Sequence, residues 1–111
     1  MYIAAFIYRP GQADDTFRQL SAVLDEIAAD LPGFAGAESW RSADGMLVNA
    51  SYYWHDRAAL EAFARHPRHL EAKRQYRRWY EGYHVVVSHV ERAYGDGTLA
   101  HPVPDSRRAG G

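Results

Sequence analysis

Four strand-like segments constrain this chain more than any other feature of its sequence. Residues 2–9 are rich in β-branched and aromatic side chains, and three further segments are predicted strands: residues 34–41, 46–54 and 84–94. Between the second and third segments lies Ser-Ala-Asp-Gly, residues 42–45, a composition typical of a hairpin. Both alternating faces of residues 2–9 are mostly apolar, so we expect this first strand to be covered on both sides.

Two helical segments separate these strands. Apolar side chains recur at helical spacing over residues 17–31, after an aspartate pair that can cap a helix and before a Pro-Gly pair. The second helix starts after Asp56 and must break near His66, because the residue before a proline avoids the α region. Pro67 then suits the first turn of a new helical segment. The order β-α-β-β-α-β predicts an α+β, ferredoxin-like fold with an antiparallel sheet.

A sheet of this kind has helices on one face and leaves the other face bare. Large apolar residues remain on the bare face of at least two predicted strands, and such a face requires a partner. We therefore expect a homodimer with its two sheets packed face to face, a dimeric α+β barrel. Residues 1–95 are predicted to form one domain. Residues 96–111 are a C-terminal tail that is either flexible or docked on the partner subunit.

The composition excludes several classes of function. The formal net charge of −1 argues against nucleic acid or an anionic membrane as a partner held by bulk charge. The chain has no cysteine, which excludes disulfides, thiolate nucleophiles and cysteine-ligated metals. The N-terminus resembles a first strand rather than a signal peptide, and no apolar run reaches the ~20 residues of a membrane span. These features predict a cytoplasmic protein.

Aromatic and histidine residues concentrate between residues 51 and 83. Trp54 ends the third predicted strand, and the helical segment after Pro67 is expected to continue as far as Tyr83. Six of its residues share one broad face: His69, Ala72, Tyr76, Trp79, Tyr80 and Tyr83. This cluster is either ordinary core packing or one wall of a small-molecule pocket.

Polar residues in the same region have more than one interpretation. His66 and His69 are three residues apart, so they can lie on the same side of a helical turn. They are either a metal-binding pair or structural residues at the helix break. In the third alternative, a histidine of this pair, His69 above all, is a general base or hydrogen-bond donor in a pocket. Asn49 lies mid-strand and needs a partner, either across the dimer interface or on a ligand carbonyl. The basic residues 73–78 form a solvated helix face or, alternatively, bind an anion.

Residues 53–54, 59–63, 66–69, 79–83 and 90–95 together resemble the antibiotic biosynthesis monooxygenase (ABM) domain family. Within it, the chain is most similar to the subgroup of heme-degrading-monooxygenase-like proteins. The resemblance covers about residues 1–95. It implies a dimeric α+β barrel with a pocket between the sheet and the broken helix. It also implies oxidation by O2, either of electron-rich polycyclic phenols and quinols without a cofactor, or of bound heme.

The preferred hypothesis is a cofactor-independent monooxygenase that acts on a small aromatic, polyphenolic or quinol-type substrate. His69 is the candidate base, Trp54, Tyr76 or Asn49 is the candidate hydrogen-bond donor, and no metal is expected. The other residues expected to bind substrate are His66, Trp79 and Tyr83.

Two alternatives stay open at this point. For a heme-binding or heme-degrading monooxygenase, Trp54 matches the tryptophan that the resemblance implies. The asparagine position falls near Ile7, and the axial histidine position falls near residues 73–75. For a non-catalytic dimeric small-molecule-binding module, the aromatic cluster would be packed solid.

Overall fold

The computed structural model describes residues 1–12 and 14–106. One antiparallel sheet contains four strands in the spatial order β2-β3-β1-β4. The strands are β1 (Tyr2–Pro10), β2 (Phe34–Arg41), β3 (Val48–Trp54) and β4 (Tyr80–His89). The helices are α1 (Asp15–Asp30), α2 (Arg57–Ala64) and α3 (Pro67–Arg74), followed by a short 3-10 turn (Tyr76–Arg78). This architecture confirms the predicted ferredoxin-like α+β fold.

β1 is the centre of the sheet, because it pairs with β3 on one side and with β4 on the other. Ala4 faces the same way as its partners Tyr52 and Val87, and this side of the sheet is called the cavity face. The alternate residues, such as Ala5 and its partner Ser51, lie on the opposite side, called the open face. All three helices lie over the cavity face, as the contacts of the core show.

Side-chain caps begin the helices where the sequence predicts them. Asp14 caps α1 by accepting a 2.8 Å hydrogen bond from the backbone N–H of Phe17. Asp56 caps α2 in the same way. The predicted break is confirmed at His66, which has an extended backbone and caps α3, with Pro67 as the first helical residue. Within residues 1–12 and 14–106, every helix is too short or too polar to span a bilayer.

The core lies between the cavity face and the first two helices. Trp54 is fully buried at the end of β3, where it packs with Ala28 of α1. Three residues of α2 complete the cluster of buried side chains: Ala59, Leu60 and Phe63. By contrast, α3 has no buried residue. The second half of the broken helix is therefore held by fewer apolar contacts than the first.

Both predicted boundaries of the last strand, residues 84 and 94, are wrong. β4 begins at Tyr80 and ends at His89, and the helical segment expected to reach Tyr83 ends at Arg74. Tyr80 and Tyr83 therefore lie on a strand, where they pair with β1. The physical reason is that Gly82 disfavours a helix, while pairing with β1 supplies backbone hydrogen bonds to this segment. β3 also begins two residues later than the predicted residue 46.

The described part of the tail contacts the open face of its own chain. Ser106 donates a 2.7 Å backbone hydrogen bond to Ala93, which closes a loop. The Nε2 atom of His101 lies 3.0 Å from a carboxylate oxygen of Glu38, and that oxygen also accepts a hydrogen bond from Tyr53. These contacts cover the Tyr53 end of the open face. The domain boundary between residues 95 and 96 stays a prediction, and residues 107–111 lie outside the described part.

Replacing Gly33 with alanine is expected to lower the free energy of unfolding by about 2–3 kcal/mol. Gly33 has a φ of +87°, and an added Cβ would lie 2.7 Å from the Cβ of Ala59 on α2. Gly45→Ala is the matched control, because Gly45 has a φ of +74° but no atom within 4 Å of an added Cβ. The control should cost only about 1 kcal/mol. Equal losses in urea unfolding would show that contact with α2 contributes nothing.

Candidate active site

A cavity of about 510 Å³ separates the sheet from the helices. Its volume is within the range of small-molecule pockets, roughly 300–1,000 Å³. Strands β1, β3 and β4 form its floor, and side chains from α1, α2, α3 and the 3-10 turn form its walls. Most lining side chains are apolar or aromatic. The aromatic cluster therefore encloses a cavity. A cluster packed solid, the predicted sign of the non-catalytic module, is not found among the described residues.

A chain of aromatic rings crosses the deep end of the cavity. The rings of Phe34 and Trp54 are 5.2 Å apart, those of Trp54 and Phe63 are 5.3 Å apart, and those of Phe63 and His69 are 5.0 Å apart. Phe63 on α2 therefore connects Trp54 of the sheet to His69 of α3. This packing fixes the orientation of both polar rings.

Trp54 and His69 each carry an unsatisfied buried nitrogen. Neither Trp54 Nε1 nor His69 Nδ1 has a hydrogen-bond partner among the described residues. A buried polar group without a partner is rare and costs roughly 1–3 kcal/mol. Both residues line the same cavity, but neither nitrogen is accessible to a water-sized molecule, so a ligand inside the cavity can satisfy them only after the neighbouring side chains shift. Trp54 can only donate a hydrogen bond, whereas a neutral histidine can either donate or accept.

The environment of His69 favours its neutral form. Burial, together with the nearby Lys73 ammonium, lowers the pKa of His69 below its ordinary value, against a smaller opposing effect of the Ala64 backbone carbonyl. A histidine with a lowered pKa is unprotonated near neutral pH and can therefore accept a proton. The site thus contains a group suited to general-base chemistry beside an aromatic cavity.

A second aromatic cluster lines the other end of the cavity. The rings of Phe6, Tyr8 and Tyr80 are 4.6–5.3 Å apart, and those of Tyr76 and Tyr83 are 4.9 Å apart. Burial raises the pKa of Tyr80 to about 12, and it also raises the pKa of Tyr8. Tyr8 and Tyr80 therefore stay protonated near neutral pH and can donate hydrogen bonds.

Asp14 holds Trp79 against the start of α1. One carboxylate oxygen accepts a 3.0 Å hydrogen bond from Trp79 Nε1, and the other accepts a 3.1 Å bond from Arg78. The amide of Gly11 also donates a 2.7 Å bond to the carbonyl of Trp79. Since its N–H is already satisfied, Trp79 contributes a wall to the cavity rather than a donor. The local cap signal does not reveal the contact of Asp14 with Trp79, because the two residues are 65 positions apart in sequence.

The structure brings five of the seven predicted site residues together around the cavity. They are Trp54, His69, Tyr76, Trp79 and Tyr83. It also adds cavity residues that the sequence did not single out as site residues, among them Tyr52, Lys73 and Tyr80. Their contribution depends on how the strands and helices pack.

The other two predicted site residues lie elsewhere. Asn49 is on the open face, where its side-chain oxygen accepts a 3.3 Å hydrogen bond from Ser51, so it cannot reach a ligand in the cavity. His66 does not line the cavity, and its Nδ1 accepts a 3.1 Å bond from the backbone of Arg68 as the cap of α3. Among residues 1–12 and 14–106, no group of three His, Cys, Asp or Glu residues is placed to hold a metal ion.

Comparison with solved structures shows the same fold. Rv0793 from Mycobacterium tuberculosis superposes with a TM-score of 0.69 at 18% identity, covering 86% of this chain and 100% of Rv0793. SnoaB, a cofactor-independent oxygenase from Streptomyces nogalater, superposes with a TM-score of 0.67 at 16% identity. The match covers 83% of this chain and 94% of SnoaB.

Sequence comparison identifies the family. The uncharacterized protein YqjZ of Bacillus subtilis (strain 168) is 36% identical over 92 residues, which cover 82% of this chain and 80% of YqjZ. The model of the monooxygenase af470-like family matches residues 4–97. The predicted ABM-type resemblance is thereby confirmed, and the chain belongs to the monooxygenase af470-like family.

Proposed function

We propose that this protein is a cofactor-independent monooxygenase that oxidises an electron-rich aromatic phenol or quinol with O2. The observation that carries the proposal is the pair of unsatisfied buried nitrogens, Trp54 Nε1 and His69 Nδ1, on one aromatic cavity. The fold shared with SnoaB, a cofactor-independent oxygenase, supports it. A substrate of this class supplies the electrons itself and needs only a base, a hydrogen-bond donor and a dry cavity.

The proposed reaction begins at His69. Its Nδ1 accepts a proton from the substrate, and Trp54 Nε1 donates a hydrogen bond to the oxygen on which negative charge develops. The electron pair left on a substrate carbon then forms a bond to O2. The proton returns from His69 to the outer peroxide oxygen. Loss of water from this hydroperoxide leaves a carbonyl group, so one atom of O2 enters the product and the other enters water.

The remaining aromatic residues position the substrate in this proposal. Tyr76 and Tyr83 offer aromatic rings, packed edge to face, at one end of the cavity, and Phe63 offers one between Trp54 and His69. The hydroxyl of Tyr76 accepts a 3.1 Å hydrogen bond from Arg77 and keeps its own hydrogen available for a ligand. Tyr76 is therefore a second candidate donor.

Heme is the alternative cofactor for a member of the predicted heme-degrading subgroup. Among the described residues, His69 is the one histidine that lines the cavity, and its Nδ1 is buried without a hydrogen-bond partner of good geometry. Ile7, near which the resemblance places an asparagine, lies on the open face and has no polar side chain. The site therefore offers a ligand for heme but not the second polar group, and no step is assigned to heme.

The proposal also includes a homodimer in the cytoplasm. On the open face, the tail covers the Tyr53 end, while Trp40 is 65% exposed and Val86 is 41% exposed. An exposed apolar surface on a sheet favours association with another protein surface. A second copy of the chain, related by a two-fold axis, is the simplest partner that offers a matching surface.

We expect His69→Ala to reduce kcat by about 10²–10⁴-fold, the usual contribution of a general base. The substrate is dithranol, an anthrone with two phenol groups, which O2 converts to the quinone dantron and water. Oxygen uptake and dantron formation are measured after subtraction of the uncatalysed rate. Unchanged turnover by the variant would contradict the role of His69.

His66→Asn is the matched control for this variant. It removes a histidine from the same turn, three residues away and outside the cavity, and asparagine can still cap α3. It should retain most of the activity. If the wild-type protein neither consumes O2 nor forms dantron, the proposed reaction on this substrate class is wrong.

In a plot of kcat/KM against pH, the midpoint of the acidic limb is expected to lie below about 6.5, the ordinary pKa of histidine. The lowered pKa of His69 means that the ring stays neutral, and able to accept a proton, to a lower pH. Activity should fall with slope one as the pH falls through this lowered pKa, and the limb should disappear in His69→Ala. A limb at or above the ordinary pKa would show that His69 is not the titrating base.

Val86→Glu is expected to weaken the proposed dimer by at least about 100-fold, because it buries an unpaired charge in the interface. Ala58→Glu, on the exposed side of α2, is the control and should leave the dimer intact. Mass is measured by analytical ultracentrifugation. A wild-type protein with the mass of one chain, or a Val86→Glu protein as dimeric as the control, would contradict the proposed interface.

A further inference from the structure

Lys73 is the one formally charged side chain that lines the cavity, among the residues that the structure describes. No described aspartate or glutamate lines it. Lys73 lies four residues after His69, so both are on the same side of α3. Lys73 is exposed to solvent whereas His69 is half-buried, so Lys73 lies on the solvent-exposed part of the cavity lining, called the mouth.

Two of the basic residues in the segment around Lys73 are paired with carboxylates. Residues 67–78 contain five basic residues and one acidic residue. Arg68 pairs with that acid, Glu71, and Arg78 pairs with Asp14. Lys73, Arg74 and Arg77 have no carboxylate partner in the described part of the chain, and of these three only Lys73 lines the cavity. The mouth therefore presents an uncompensated positive charge.

We propose that Lys73 is a specificity-determining residue that binds an anionic group of the substrate, so that the preferred ligand is an aromatic carboxylic acid. The aromatic body of such a ligand lies against the rings of the cavity, with its polar group at Trp54 and His69. Its carboxylate stays at the wet mouth, where it meets Lys73 without being fully desolvated. This assignment names the substrate class of the proposed oxygenase and rests on that function for its catalytic meaning.

The test uses two ligands that do not react with O2. Dantron is an anthraquinone with two phenol groups, and rhein differs from it only by one carboxylate. Binding is followed by quenching of tryptophan fluorescence, for the wild-type protein and for two charge-removing variants. Lys73→Met keeps the aliphatic stem of the side chain at the cavity. Arg74→Met removes the same charge one residue further along α3, outside the cavity.

We expect the wild-type protein and Arg74→Met to bind rhein about three- to ten-fold more tightly than dantron, as befits a partly exposed ion pair. Lys73→Met should bind the two ligands equally. The preference of the wild-type protein should also shrink at high salt, because the pair is partly exposed. Equal affinities in the wild-type protein, or no binding of rhein, would overturn the proposal. The same loss of preference in Lys73→Met and Arg74→Met would also overturn it, since the preference would then come from the overall positive charge of α3 and not from Lys73.

The binding and oxidation experiments test the anion site and the oxygenase reaction separately. If the Lys73-dependent preference is found but dithranol is not oxidised, the anion site stands and the proposed oxygenase reaction is wrong. If dithranol is oxidised but rhein has no Lys73-dependent advantage, the reaction stands and Lys73 does not select the substrate.

Discussion

The proline at position 67 is the constraint on which the shape of the site depends. It excludes the preceding residue from the α region, so the helix that begins at Arg57 cannot continue through His66. The two halves then differ in their contacts. α2 buries Ala59, Leu60 and Phe63 against the sheet, whereas α3 buries none of its residues. Because α3 is not drawn into the core, a cavity remains beneath it, with His69 on its wall.

Most side chains that line the cavity are apolar or aromatic, and only a few are polar. Trp54 and His69 keep buried nitrogens without partners, an arrangement that costs stability and is typical of a site that binds a ligand. In the proposed function Lys73 has two effects, because its charge lowers the pKa of His69 and would also attract an anionic group of the ligand. The two proposed roles, proton acceptance by His69 and anion binding by Lys73, therefore share one helical turn of α3.

The far wall of the cavity depends on a contact between distant parts of the chain. Asp14 caps α1 and also accepts hydrogen bonds from Arg78 and Trp79. These bonds lower the pKa of Asp14 and keep it charged, which strengthens them in turn. The segment that leads into β4 is thus attached to the start of α1. Its attachment sets where Tyr80 and Tyr83 enter the sheet.

The sequence alone determined the features that arise from neighbouring residues: the first two strands, the hairpin, both aspartate caps and the helix break at His66 and Pro67. These follow from local steric preferences and hydrogen bonds, which a short window contains. Only the tertiary structure decided that Tyr80 and Tyr83 belong to a strand, that Asn49 faces away from the cavity, and that Asp14 meets Trp79. Each depends on pairing or packing between residues far apart in the chain. Helical periodicity around Tyr76 could not anticipate them, because pairing with β1 outweighs local preference there.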